Sequence, residues 1–455
     1  MTSSTPLEHP RKQQHGRKRL IRIIAGIITA SLLITAGGMW WTTGEGKIIV
    51  MNLFKPAARP ATQAAADSVS AFAYQSSPEF LTMKSTQDSN GNVNYSPTSM
   101  WMALAIAAQG ADGTTRSQMD DLLGTKSLRT DDYQSLLRSI NGRYNGSKSE
   151  MSAANSLWVD SQYTLADAFK ATVKGSFDAN IQSLPFNDAA AKQMSHWISS
   201  HTKNVLKPNI TLQDKEVISI INTVFADGRW KDPFEPEETT SQTFRGEDGD
   251  TEVPMMQRLF DDMVWAHDSD NDTWQRVSIP FDNGGSLTIL LPAAGHFDEI
   301  ASDTEKLRWA MSTCLDSEYG CTTDAPAGWG VAAEAVMVDV SLPKFTIDST
   351  FPSDQTIATF RQLGLTDAFM PGTADLSKMT GSASDDLSIG SIIQGTRIEV
   401  NENGAKAAAF TKMGVEAAGA PAEQQFVEFT VDRPFLYALT TPDTIPLFIG
   451  AVRNL

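Results

Sequence analysis

The chain has 455 residues, 41% of them hydrophobic, and a formal charge of -17. That length exceeds the usual single-domain size and can bury a large core, as one big domain or two ordinary ones. The acidic balance argues against nucleic acid as a partner.

The charge is unevenly placed. Residues 1–22 form a basic head, with Arg11, Lys12, Arg17, Lys18, Arg19 and Arg22 against a single Glu, so the remainder is more acidic than the whole. The uncharged run that follows, residues 23–44, is long enough to cross a bilayer as a helix. Its basic flank puts the N-terminus inside, and Trp40 and Trp41 suit the opposite interface. The run reads as a transmembrane signal anchor; a cleaved signal peptide is the rival, since Ala36 and Gly38 satisfy a small-x-small cleavage rule. Either way the acidic body is exported, to the extracellular face of the membrane or as a secreted protein. Residues 45–67, rich in Lys, Ala and Pro, read as a flexible linker. An ordered domain is expected over residues 68–455.

The first strong element is Asn94 to Gly110. Ser96 is placed to cap a helix, Pro97 occupies its first turn, and Trp101, Leu104, Ala105 and Ala108 recur at helical spacing. A second helix is predicted from Thr115, whose spacing to Gln118 suits a capping box, to Gly124. Met151 onward reads as a strand, and Asp188 to Lys203 as an amphipathic helix. Val217 to Ala226 is a continuous apolar run expected of a central strand covered on both faces, with Asn222 as a buried amide in need of partners. Strands follow at Trp274–Pro280, at Ser286–Pro292 across the turn Asp282–Gly285, and at Val336–Phe345. A helix is predicted over Thr356–Leu363. Arg397–Val400, Phe426–Val431, Phe435–Thr440 and Ile445–Val452 read as further strands, making the body an α+β domain.

Cys314 and Cys321, seven apart in a loop-like stretch, suit either a small surface disulfide or two free thiols. They are too few for a cysteine-only zinc site. No G-x-S-x-G elbow, H-E-x-x-H helix or Walker loop occurs. His196 and His201 are five apart on a helix, the wrong spacing for a metal-facing pair. The chain is not read as an enzyme, and no metal or cofactor is expected.

The stretch between Arg397 and Glu428 has a different character. From Ala405 the residues Ala405, Ala407, Ala409, Thr411, Met413 and Val415 alternate with Lys406, Ala408, Phe410, Lys412, Gly414 and Glu416, the period of a strand with one buried face. Yet Gly404, Gly414, Gly419 and Pro421 suit an exposed loop. By composition alone it is either a linker or a segment with two states.

Nine segments in chain order resemble the landmark motifs of the serpins: NYSPTSMWMALAIAAQGADGTT, ANSLWVD, INTVFADGRWKDPF, VPMMQR, VSLPKFTID, LGLTDAFMPGTADLSKMT, VNENGAKAAAFT, DRPFLYALT and PLFIGAVRNL. The resemblance covers about Ser68 to Leu455 and points to an inhibitory, prokaryotic-like serpin with an N-terminal anchor or signal. It implies one α+β domain of three β-sheets surrounded by about nine helices, with an exposed reactive-centre loop over residues 402–425. In such a protein a serine protease attacks the loop and becomes acylated. The cleaved loop then enters the main sheet as a new strand and drags the protease with it. A dozen residues gaining ladder hydrogen bonds and buried side chains release on the order of 10 kcal/mol or more.

The resemblance assigns Glu402, Gly404, Ala405, Ala407, Ala408, Ala409 and Thr411 to the hinge, where small residues let insertion outrun deacylation. Lys406 and Phe410 depart from the family's acidic and small residues. The alternating set from Ala405 to Val415 is expected to be exposed before cleavage and buried after it. Counting seventeen residues from Glu402 places the attacked bond at Ala418–Gly419; the long stretch to Pro434 keeps Glu416–Ala417 and Ala417–Ala418 as candidates. Small Ala417 and Ala418 suit an elastase-like target held as a covalent acyl complex. Ser96, Ser99 and Asn222, with Gln394 where most serpins have histidine, match the polar cluster called the shutter, expected to satisfy the Asn222 amide. Trp230 matches the tryptophan of the breach, where insertion begins. A monomer without a heparin-like cofactor is expected, and a non-inhibitory serpin acting as a binding protein stays as the alternative.

Overall fold

The computed structural model describes residues 56–86, 88–143, 147–213, 216–311, 330–381, 387–405 and 426–455, all within one unit, Lys55–Leu455. The anchor run, Cys314, Cys321 and residues 406–425 lie outside the described residues. Among the described residues no helix is long and apolar enough to cross a membrane.

In chain order the elements are α1 (Gln63–Leu81), β1 (Val93–Tyr95), α2 (Pro97–Gln109), α3 (Gly113–Leu123), α4 (Thr130–Asn141), β2 (Glu150–Asp160), α5 (Asp167–Phe177), β3 (Asn180–Leu184), α6 (Asp188–His201) and β4 (Ile218–Arg229). The second half adds β5 (Thr240–Arg245), β6 (Asp250–His267), β7 (Trp274–Pro280), β8 (Ser286–Pro292), α7 (Phe297–Ala301), α8 (Thr304–Met311), β9 (Ala332–Pro343), β10 (Phe345–Phe351), α9 (Ser353–Gln362) and α10 (Ser377–Thr380). The last strands are β11 (Gln394–Asn401), β12 (Gly404–Ala405), β13 (Phe426–Thr430), β14 (Phe435–Thr440) and β15 (Pro446–Val452).

These strands form a six-stranded sheet, β10-β11-β12-β4-β2-β3, and a nine-stranded one, β1-β15-β14-β8-β7-β6-β9-β13, with β5 on β6. The expected second and third sheets are therefore continuous. The cause is the long β6, which pairs with β5 at its start and with β7 at its end, and with β9 from Met255 to His267. β14 and β15 are buried along their whole lengths, as their unbroken apolar runs require. β10 alternates buried and exposed residues, the signature of a strand with one wet face. Between the sheets lies α2, buried on nearly every side and packed against β4 and β15.

Several local expectations are corrected. Order begins before Ser68: α1 starts at Gln63, capped by Thr62, and Ala57 bridges to Arg143. Its Ala- and Ser-rich first turns resemble a spacer in sequence, but Ala65, Val69, Phe72 and Ala73 are buried. The second helix starts at Gly113, capped by Asp112. Thr115 and Gln118 are not a capping box there, because they accept hydrogen bonds from Asp375 N and from Thr366 N and Asp367 N. The strand predicted from Val336 to Phe345 is two strands parted at Lys344, whose N–H leaves to Pro254 O. In β4 the half from Ile218 to Asn222 is only half-buried, so the expected cover on both faces is incomplete.

Candidate functional site

The site is built where β11 ends. After Asn401 the chain turns through Glu402 and Asn403 and returns as β12, antiparallel to β11, with Asn401 opposite Gly404 and Val400 opposite Ala405. The other edge of β12 pairs with β4, Gly404 opposite Arg229 and Ala405 opposite Gly228. Among the described residues β12 alone links β11 and β4 in the strand order.

Each part of the turn is held. Asn403 N donates to Asn401 Oδ1 at 3.0 Å. From the β4 side Trp230 N donates to Asn403 O and Phe234 N to Glu402 O, while Trp230 Nε1 donates to Asn401 O at 2.9 Å. The Trp230 indole is buried, stacked on Phe281 at 5.0 Å between centroids and edge-on to Phe234 at 6.1 Å. Gly228 must lack a side chain because a Cβ there would stand 2.7 Å from the Phe281 ring. Gly404 is equally constrained: its φ is +153°, and a Cβ would meet Gly228 O at 1.9 Å.

Glu402 is buried, and its Oε1 accepts from Lys344 Nζ and from Thr239 Oγ1, each at 3.0 Å. Burial acts to raise its pKa, but its own backbone N–H, the Lys344 ammonium and the Thr239 hydroxyl outweigh it and hold the carboxyl below the ordinary 4.5. Glu402 is thus an ionised clamp on β10's entry and on the turn before β5.

Ala405 is 2% exposed in the uncleaved chain. This corrects the expectation that it is exposed before cleavage, since both its edges are already in the ladder. The other hinge residues, Ala407, Ala408, Ala409 and Thr411, and the bond Ala418–Gly419 lie outside the described residues.

Lower in the sheet the expected shutter residues do not form one cluster: Gln394 bonds Ser96, whereas Asn222 bonds Asn155 of β2. Gln394 Nε2 donates to Ser96 O at 2.8 Å and its Oε1 accepts from Ser96 N at 3.1 Å, so the amide serves both backbone groups. Ser96 occupies the N-cap position of α2 but its hydroxyl does not cap; it donates to Leu447 O at 2.8 Å. Asn222 Nδ2 instead donates to Asn155 Oδ1 at 2.7 Å and Ala154 O at 3.3 Å, and Asn155 Nδ2 donates to Phe177 O. Asn222 Oδ1 is buried without a hydrogen-bond donor. The expectation that Ser96 and Ser99 satisfy the Asn222 amide is therefore corrected, because its partners are Asn155 and Ala154 of β2 and, from α2, Met102 Sδ at 3.3 Å. Ser99 is buried on α2.

Sequence reasoning missed Lys344, Thr239, Phe281 and Asn155. Lys344 stood in the quoted segment VSLPKFTID and Asn155 in ANSLWVD, but only as landmarks; nothing local tied either to its partner.

Comparison with known proteins agrees with this arrangement. The profile described as Serpin (serine protease inhibitor) matches residues 71–455. The chain is 28% identical to rat glia-derived nexin over 375 residues, spanning 80% of this chain and 87% of that protein. It is 26% identical to mouse leukocyte elastase inhibitor A over 374 residues, 80% of this chain and 93% of that one. The structure superposes on a thermophilic serpin, tengpin in its native state, with a TM-score of 0.70 at 25% identity, covering 89% of this chain and 98% of the other. Matched over residues 71–455 in sequence and superposing on a serpin in fold, the chain belongs to the serpin family.

Proposed function

We propose that the protein is an irreversible inhibitor of serine proteases with elastase-like specificity, acting by acylation at Ala418 and insertion of its reactive-centre loop. The observation that carries this reading is the position of Gly404 and Ala405, already paired on both edges between β11 and β4. The first steps of a new strand exist before any bond is cut. Extending it requires the alternate residues after Ala405 to be small, and Ala407 and Ala409 are. The elastase preference rests on Ala417 and Ala418, which fit a pocket open only to short apolar side chains. The name of the leukocyte elastase inhibitor relative points the same way. The serpin itself supplies no catalytic group, since the protease's own nucleophile is trapped.

We also propose that residues 23–44 hold the inhibitor at the outer membrane surface, on the strength of their length, basic flank and terminal tryptophans.

The test is incubation with elastase followed by a denaturing gel and mass spectrometry. A band at the summed mass that survives boiling, with a released peptide beginning at Gly419, is the expected result. Complete cleavage with full protease activity retained overturns the inhibitory reading and leaves a cleavable binding protein.

A further inference from the structure

Two of the large hydrophobic residues most exposed on the described surface, Leu259 at 46% and Phe426 at 52%, lie on one face of one sheet. Leu259 on β6 is opposite Asp339 on β9, which is opposite Glu428 on the edge strand β13. One step along, Phe426 is opposite Met337. Directly paired residues point to the same side of a sheet, so these side chains share the outer face.

A bulge completes the face. The register of β6 on β9 jumps from Phe260–Val338 to Met263–Val336, so Asp261 and Asp262 together stand opposite Met337. Phe260 and Met263 are both buried, which leaves the two aspartates between them exposed. The result is an apolar centre flanked by four carboxylates. It spans about 10 Å across three strands and about 7 Å between rows. None of the four carboxylates makes an ion pair among the described residues. The strand's own cation does not neutralise them: Arg258 turns away, over the Phe260 ring and toward Pro233 O.

We infer that this face of β6, β9 and β13 is a docking surface for a basic rim beside the active-site cleft of the target protease. The inference rests on the reading that a protease attacks the loop, because Phe426 is the first described residue after residues 402–425. A partner aligned on that loop is brought over the adjoining strand. Charge complementarity selects the partner's chemistry. A second copy of this chain would set carboxylates against carboxylates, and an anionic membrane surface would be repelled. A Lys- or Arg-bearing rim gains both the electrostatic attraction and the Leu259, Met337 and Phe426 surface. Such a contact acts before acylation, raising the encounter rate and affinity without altering the later fate of the loop.

The test uses the full chain and two elastase-type proteases, one cationic and one anionic at neutral pH, each both active and with its nucleophilic serine replaced by alanine. Affinity for the serine-less enzymes is measured for wild type, for Asp261→Lys/Asp262→Lys and for Asp339→Lys/Glu428→Lys. Among the described residues none of the four makes a side-chain hydrogen bond or ion pair, so both variants should fold, which thermal melting checks. Wild type should bind the cationic enzyme more tightly than the anionic one. Each double reversal should weaken binding to the cationic enzyme roughly tenfold at about 50 mM salt and roughly twofold at about 500 mM. Equal affinity of all three proteins for the cationic enzyme at low salt overturns the docking surface. The denaturing gel with active enzyme reads the other question separately: covalent adduct without a reversal effect keeps the inhibitory reading alone. A reversal effect without adduct keeps the docking surface alone, and neither result removes both.

Discussion

Gly404 and Gly228 meet so closely at the join of β12 and β4 that a Cβ on Gly404 would stand 1.9 Å from the Gly228 carbonyl oxygen. The φ of +153° at Gly404 adds a second bar to any other residue. Gly404→Ala should therefore unseat β12, destabilising the native state by roughly 1–3 kcal/mol. A lowered urea midpoint and lost amide protection at Ala405 are the expected readings. A variant with both unchanged would show that β12 is not seated in solution.

Ala405 is buried and paired on both edges, with Val400 and with Gly228. Ala405→Arg would place an unpaired charge at the entrance to the sheet. Insertion should slow until deacylation wins, so the inhibitor becomes a substrate. The number of inhibitor molecules consumed per protease inactivated should rise steeply, and an unchanged stoichiometry would remove Ala405 from the hinge.

The Glu402 clamp makes the turn between β11 and β12 sensitive to acid. Its folded-state pKa lies below 4.5. A depressed carboxylate contributes stability that is fully present above the unfolded value and is lost as pH falls through the folded one. The Lys344 partner is 37% exposed, so solvent screening trims the pair to roughly 1 kcal/mol. Wild type should lose urea resistance more steeply than Glu402→Gln as pH falls from about 5 to about 3. Parallel curves for the two proteins would show that the ion pair contributes nothing.

Gln394 bonds both the N–H and the carbonyl of Ser96 in a buried setting. Gln394→Leu leaves both backbone groups without that partner, at about 1–3 kcal/mol each. The expected result is a marked fall in melting temperature together with faster spontaneous loss of inhibitory activity. Because an amide does not titrate, wild type should show no change in that rate between about pH 5 and 8, whereas Gln394→His should acquire one near the histidine range. A flat profile for Gln394→His would show that this position does not govern sheet opening.

Much of this arrangement was legible in the residues. The helical spacing of Trp101, Leu104 and Ala108 in α2 and the hairpin from Trp274 to Pro292 are local patterns, and β7 and β8 match their predicted ends. Capping was less legible, because Thr115 and Gln118 have spacing that suits one another yet bond to residues near 366 and 375. Side-chain oxygens choose the partner that tertiary contact brings nearest, and spacing along a helix does not record it.

The sequence by itself determined the serpin framework and the alternation of small residues after Ala405, since period and motif order are properties of the chain. Only the tertiary structure decided that Gly404 and Ala405 already sit between β11 and β4. Only there does Glu402 reach Lys344, Gln394 rather than Asn222 answer Ser96, and β6 join two sheets into one. The physical reason is distance along the chain: Ala405 pairs with Gly228 across 177 residues, and Gln394 with Ser96 across 298. Hydrogen bonds and apolar contacts between such positions exist only once the core has brought the strands together.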